Sequence, residues 1–346
     1  MSEEINEVKC ISVNPEGTAF AIGLTKGIVA YDLNPLKRKF NVIFGGGFSL
    51  KPKEEELVAV ELVSNTSYIA VAYNRPADGN SSIVVYDVRN TKYVSQRDLP
   101  GPVTCMKVLY NPESPASSKL CVGTSGGVHV YSIHEPGEPW SVPCTPRSLS
   151  ISALGQVLVT ENEKELVVVR DFCGEVLRRA LNRNNNARIS AVSWSGQMAA
   201  TASKAGTVIK VVDLGRPDAP VLELSRGSSH HATVTSMSFS RDDKMLAIST
   251  DRETIHVFSL DSGRQQSWLK MKSADSAVKI SPPKSDPPNS PDAVSFSNSV
   301  VTFCSDFELV VITHKGDYLI YDIDLGKGTA TQKPGTRPTN LSLLEL

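Results

Sequence analysis

The 346-residue chain predicts an all-β fold, a seven-bladed β-propeller of the WD-repeat type, on three observations. One pattern recurs seven times: a small or apolar run, a short polar turn, an alternating β-branched strand, then an apolar residue with Asp or Ser. Each copy is rich in Val, Ile, Thr and Tyr with a period of two, the signature of strands. Gly, Asp, Asn and Pro punctuate the copies, and helical periodicity is nearly absent.

Taken in order, the copies close at Asp32, Asp87, Ser132, Asp171, Asp213, Ser259 and Asp322. Their spacings of 55, 45, 39, 42, 46 and 63 residues centre on the roughly 40–45 residues of a four-stranded blade. The blades are expected over 5–45, 55–100, 101–145, 146–185, 186–232, 233–297 and 298–330, with a short C-terminal tail over 331–346. A four-stranded sheet buries neither face alone, whereas blades stacked side by side bury both. We therefore expect a single domain, with two β-sandwiches as the alternative. Three stretches break the spacing: Asn74 to Ser82, Pro112 to Ser118, and a long loop over 261–292 that contains Pro282, Pro283, Pro287, Pro288 and Pro291. Such composition is poorly suited to a strand ladder, and long excursions from a rigid scaffold are where binding concentrates.

Composition excludes several function classes. With 36 Lys+Arg against 37 Asp+Glu the formal net charge is −1, so no global positive field favours nucleic acid. No stretch approaches the roughly 18 apolar residues of a membrane span. The acidic, polar opening Met1-Ser2-Glu3-Glu4 is unlike a signal or transit peptide, and six cysteines at 10, 105, 121, 144, 173 and 304 form no CxxC pair. Buried free thiols in a cytoplasmic protein are expected, with no structural metal and no cofactor. The sequence contains no Gly-rich phosphate loop, HExxH or GxSxG, so no catalytic residue is assigned and the chain is not read as an enzyme.

Residues Ala199 to Leu260 carry a more specific signal. Ala199-Ala200-Thr201-Ala202-Ser203-Lys204-Ala205-Gly206-Thr207 resembles the blade 5 segment of the PROPPINs, the WD-repeat phosphoinositide-binding propellers called WIPI proteins in animals. Ser236 to Phe239 and Leu246 to Phe258 are similar to that family's blade 6. Between them the family carries Phe/Leu-Arg-Arg-Gly where this chain has Leu224-Ser225-Arg226-Gly227. Gly45-Gly46-Gly47 and Ala293-Val294-Ser295-Phe296 extend the resemblance outside that segment. The run Leu177-Arg178-Arg179-Ala180 mimics the arginine motif but lies one blade too early and lacks the Gly, so it reads as a solvated strand end.

The resemblance implies two phosphoinositide sites, one on each side of the blade 5/6 boundary, each served by one motif arginine. The blade 5 site keeps Ser203 and Thr207, but Ser225 replaces its arginine and Asn185 stands where a histidine is usual, so this site is expected to be degraded. The blade 6 site is expected to use Arg226, His230 or His231, Ser249, Thr250 and Thr254. His256 reads as an ordinary propeller packing or hydrogen-bonding residue. A membrane-insertion loop is expected at Trp268, Leu269, Lys270, Met271 and Lys272, where local charge over 264–285 reaches +4 (five basic residues against Asp275). The alternative for Trp268 is packing against its own blade.

These features imply an effector of phosphatidylinositol 3-phosphate, with the 3,5-bisphosphate as a second candidate. It would be recruited peripherally to autophagosomal-precursor, endosomal or vacuolar membranes as a scaffold for autophagy or trafficking proteins. By resemblance the blade 2/3 rim docks a protein of that machinery, and Asn74 to Asn80 is the candidate here. No nucleic-acid partner is expected. The competing reading is a protein-interaction scaffold that has lost lipid binding.

Overall fold

The computed structural model describes residues 7–334 except 45–54, 65, 110, 112–116, 135–136, 138, 145, 147, 153–156, 162–164, 171–174, 181–186, 204, 217–220, 227–230, 261–273 and 284–293. Residues 1–149 with 342–346 form one compact unit and 150–341 a second.

In the first unit three antiparallel sheets follow one another. They are β1–β4 (Val8–Val13, Ala19–Leu24, Gly27–Asp32, Lys37–Ile43), β5–β8 (Glu56–Leu62, Tyr68–Arg75, Asn80–Asp87, Lys92–Leu99) and β9–β12 (Val103–Leu109, Lys119–Thr124, Gly127–Ser132, Trp140–Val142). Period-two patterning explains their stacking. On β6, Ile69, Val71 and Tyr73 join the cluster shared with β2 and β3, while Ala70 and Ala72 join the cluster shared with β9 and β10. Both faces of one strand are thus dry, which accounts for its apolar run without polar alternation.

The second unit begins with β13–β16 (Leu149–Ile151, Val157–Glu161, Glu165–Arg170, Glu175–Ala180) and β17–β20 (Ala187–Val192, Met198–Ser203, Val208–Asp213, Leu222–Ser225). Next come β21–β23 (Val234–Phe239, Met245–Thr250, Ile255–Ser259), a two-residue β24 (Ala274–Asp275) and β25 (Val278–Ile280). The chain ends with β26–β29 (Val300–Phe303, Glu308–Ile312, Tyr318–Asp324, Thr329–Gln332). Here too alternate residues serve two cores: Leu246 and Ile248 pack toward Ala200 and Leu224, Met245 and Ala247 toward Val301 and Phe303.

Six blades have the regular four-stranded form, so the expectation of seven equivalent four-stranded blades is corrected. The remaining sheet is five-stranded and mixed, because β24 adds to the outer strand β20 in parallel before β25 completes the neighbouring sheet. A two-residue parallel bridge leaves no periodic trace, and the polar segment supplying it reads as loop. The same is true of Val278-Lys279-Ile280, which lies inside the expected 261–292 loop yet pairs with β23.

The closing residues sit at equivalent register. Asp32, Asp87, Ser132, Asp213, Ser259 and Asp322 each pair with the first residue of the preceding strand, whereas Asp171 falls just beyond Arg170, which holds that place. The stretch Asn74 to Ser82 is not a lengthened loop. Its strands run further and close through a tight turn at Pro76 to Gly79, where Gly79 has φ +71°. Asn74 then hydrogen-bonds both backbone groups of Val103.

One clasp sets the boundary that matters for function. Asp243, in the β21–β22 turn, is held at φ 59°, a conformation costly for most non-glycine residues. Its buried carboxylate accepts the Trp194 N–H at 2.8 Å and the Ser195 hydroxyl, both from the β17–β18 turn. Arg241 stacks over the Trp194 ring at 4.9 Å. The five-stranded sheet and the β21 sheet are thereby pinned together. The cysteines at 10, 105, 121, 144 and 304 are free thiols, and burial pushes Cys10 and Cys121 up to about 12.

Candidate anion-binding site

The site is assembled where β20 ends. Gly206, in the turn between β18 and β19, has φ +60°, and an ideal Cβ there would lie 1.8 Å from the Ala232 carbonyl oxygen. Only glycine lets the segment leading into β21 pass so close. Ala232 N–H donates to Ala205 O at 3.1 Å, which locks the crossing. Arg226 then folds under it: its backbone N–H donates to Thr207 O and its Nε to Gly206 O, both at 3.1 Å. The side chain is buried.

Around it the second unit gathers basic groups. Burial pulls the Arg226 guanidinium below its usual range, with Asp251 opposing and Arg252 adding to the shift. His256, the second residue of β23, is pushed down to about 4 by burial and then by the charges of Arg226 and Lys279. It is therefore neutral at pH 7. Its Nδ1 shares a 3.2 Å hydrogen bond with Ser276 Oγ, and Lys279 lies opposite it on β25. Asp251 and Arg252, themselves an ion pair at 4.0 Å, thus act on Arg226, while Arg226 and Lys279 act on His256. Such a cluster can hold an anion: guanidinium and ammonium supply charge-assisted donors, and the imidazole can take a proton when a phosphate arrives.

The sequence-derived residues fare unevenly. Arg226 lies at the centre, and Thr207 contributes its carbonyl to Arg226. Thr254 is half-buried at the turn into β23, and His231 is exposed. Ser249 and Thr250 are buried: Ser249 pairs with Ser299 Oγ at 2.8 Å, and Thr250 Oγ1 accepts the Arg252 N–H at 3.1 Å. Both hydroxyls therefore hold the scaffold. Ser225 ends β20 opposite Val208 and Asp275, and Ser203 ends β18. His230, Asn185 and the five loop residues Trp268, Leu269, Lys270, Met271 and Lys272 lie outside the described residues. Residue-by-residue reading misses Arg252, Ser276 and Lys279, and it takes His256 as an ordinary packing or hydrogen-bonding residue, of which the hydrogen bond to Ser276 is found. Its one available signal is a histidine on an otherwise apolar strand, which is common in cores.

Comparison with known proteins shows what this segment is similar to. The PROPPIN family model matches residues 174–270, the span that includes Arg226 and most of its surroundings. Autophagy-related protein 18 of Dictyostelium discoideum is 25% identical over 261 residues, 72% of this chain and 64% of that protein. The chain thus spans just under two thirds of that relative's length. WD repeat domain phosphoinositide-interacting protein 1 of Xenopus laevis is 23% identical over 265 residues, 74% of this chain and 57% of that protein. A solved complex of KlAtg21 with the coiled coil of AgAtg16 superposes with a TM-score of 0.73 at 20% identity, over 94% of this chain and 98% of that one, which shows the β-propeller fold. The family model and the relatives thus resemble the chain over the segment that carries Arg226, and the solved structures share its β-propeller fold.

Proposed function

We propose that the protein is a phosphoinositide effector that works as a peripheral membrane scaffold in autophagy or endosomal trafficking. PROPPIN propellers are non-enzymatic lipid-binding scaffolds. The observation that carries the reading here is the chain of basic groups Arg252, Arg226, His256 and Lys279, with Asp251 as the acid at its Arg252 end. A monoesterified phosphate, as in phosphatidylinositol 3-phosphate, offers the compensating charge; the 3,5-bisphosphate offers more than one such site needs. Arg226, with His230, His231, Ser249, Thr250 and Thr254 nearby in sequence, is the proposed headgroup region. Ser249 and Thr250 serve it through the fold. The side carrying Ser203, Thr207, Ser225 and Asn185 lacks a motif cation and is the weaker one.

A second membrane contact is proposed at Trp268, Leu269, Lys270, Met271 and Lys272. Trp favours the lipid–water interface, and each nearby lysine adds about 1 kcal/mol on anionic lipid. For protein partners, KlAtg21 is solved with a coiled coil of AgAtg16, and a helical partner of the autophagy machinery is proposed for this chain as well. Flotation of the full chain with vesicles of phosphatidylcholine, with and without phosphatidylinositol 3-phosphate, tests the reading. Binding that requires the phosphoinositide and disappears in Arg226→Ala supports it. Binding to neither vesicle favours the second reading, a scaffold without lipid binding, to which the serine at 225 already points.

A further inference from the structure

The row of basic groups has two ends, and only one of them is answered by an acid. Strand alternation places its members. On β23, Ile255 and Val257 pack toward Val301 and Phe303, whereas Phe258 packs toward Leu224. His256 stacks on Phe258 at 6.5 Å between ring centroids and so belongs to the face turned toward β20. On β25, Val278 and Ile280 join the Val301 side, which leaves Lys279, directly opposite His256, on the same face as the imidazole. Arg226 stands two residues beyond Leu224, just past the end of β20, and its charge acts on His256 together with that of Lys279. The Arg252 end already holds its counter-charge: Arg252 and Asp251 form an ion pair at 4.0 Å, and Asp251 also acts on Arg226. At the other end Lys279 is exposed, and among the described residues no carboxylate lies within ion-pair distance of it.

We propose that Lys279 is the second headgroup-binding cation of this chain, so that a phosphomonoester sits between Arg226 and Lys279, beside His256, and not between Arg226 and Arg252. The inference rests on the phosphoinositide reading above and names where in that site the phosphate goes. Charge decides between the two sides. A phosphomonoester carries about −1.5 to −2 near pH 7, which Arg226 and Lys279 match with one positive charge each. On the Arg252 side the Asp251 carboxylate repels the same group at close range. Ser276 holds His256 Nδ1 at 3.2 Å, so the imidazole between the two cations is fixed in place. A chain with serine at 225 still brings two cations to one headgroup, both on the Arg226 side of β20.

The test titrates the full chain with phosphatidylcholine vesicles carrying phosphatidylinositol 3-phosphate and, separately, with soluble inositol 1,3-bisphosphate, the same headgroup without its lipid. Lys279→Gln should weaken both by about tenfold, because a charge-assisted contact to the phosphate is lost. Arg252→Gln should change either by less than about twofold, since an exposed, ion-paired arginine contributes little. Lys279→Arg should bind as the wild type does, and melting temperatures should stay constant because both side chains are exposed. Equal losses in Lys279→Gln and Arg252→Gln overturn the inference. A Lys279→Gln loss confined to vesicles also overturns it, since Lys279 then acts only as a general attraction to an anionic surface. The two failures are distinguishable. Arg226-dependent binding that is untouched by Lys279→Gln rejects this inference alone, whereas a wild-type chain that binds neither vesicle nor soluble headgroup rejects the phosphoinositide reading and this inference with it.

Discussion

The two compact units bury charge in opposite ways. In the first, Glu61 on β5 is almost fully buried, and its Oε1 accepts the Ser12 hydroxyl of β1 at 2.5 Å and the Lys107 ammonium of β9 at 2.6 Å. Burial pushes the Glu61 carboxyl up while Lys107 pulls against it. Opposite charges from two sheets and a hydroxyl from a third meet at Glu61 Oε1, while its buried Oε2 takes no hydrogen bond among the described residues. In the second unit Arg226 and Lys279 act on a histidine whose proton affinity is lowered, and Arg252 acts on Arg226. Like charges held together destabilise one another, and here Asp251 offsets them only in part. The first cluster therefore reads as architecture, the second as a site suited to an anion.

The largest expected effect would sharpen that contrast from the architectural side. Lys107→Met leaves Glu61 buried without its cation and should cost about 3–5 kcal/mol of stability. Thermal unfolding measures the cost. Vesicle binding per folded molecule should be unchanged, and a binding defect in folded Lys107→Met would dissolve the distinction between the clusters.

Arg226→Ala should behave in reverse. It removes charge-assisted donors worth about 1.5–3 kcal/mol to a phosphate, a loss of roughly tenfold to a hundredfold in affinity for phosphatidylinositol 3-phosphate vesicles. Because Asp251, the acid beside Arg226, is exposed and still has Arg252 within 4.0 Å, the melting temperature should fall far less than in Lys107→Met. An Arg226→Ala protein that melts early yet binds normally when folded would make Arg226 a scaffold residue like Lys107.

Next in size is the proposed insertion loop. Replacing Trp268 and Leu269 together with Ser should weaken vesicle binding severalfold, since one headgroup site alone anchors poorly and a second contact acts at high effective concentration. The melting temperature should stay nearly constant. A drop of many degrees would show Trp268 packed on its own sheet, and the loop would then join the architectural class. Added salt should weaken wild-type binding, because the local +4 charge over 264–285 is screened.

How much of this is legible in the sequence follows from which forces leave periodic traces. Alternating burial on both faces writes itself into runs such as Ile69 to Tyr73, so the strands and their closing residues can be read directly. The Arg226 position is legible through motif resemblance. What escapes is set by contacts without a period. β24 is a two-residue bridge, and Ser276 and Lys279 reach His256 only because β25 follows it. His256 itself looks like any strand histidine until the charges of Arg226 and Lys279 are seen beside it. Ser249 and Thr250 mislead in the other direction: hydroxyls suggestive of a ligand are satisfied by Ser299 and by the Arg252 backbone.

The smallest expected effect is the pH dependence of binding, and its sign separates the clusters most cleanly. His256 is held near 4, below the ordinary 6.5, by burial and by Arg226 and Lys279. Its folded-state value is depressed, so the unfolded chain binds more protons between about 6.5 and 4, and this contribution to stability is lost as pH falls through that window. A phosphate bound beside Arg226 and Lys279 offsets the two cations and raises the histidine's proton affinity. Binding then takes up a proton, and affinity should increase modestly, by about twofold or threefold, as pH falls from about 7 toward 5.5. Protonation of the phosphate itself, with a second pKa near about 6, works against this rise. The informative quantity is therefore the difference from His256→Gln, which keeps a polar side chain but cannot titrate. Wild-type affinity measured across that range should exceed the His256→Gln curve increasingly at the acid end. Parallel curves would mean that the bound phosphate lies too far from His256 to be felt, and the anion would then have to be placed on the outer side of Arg226, toward Arg252.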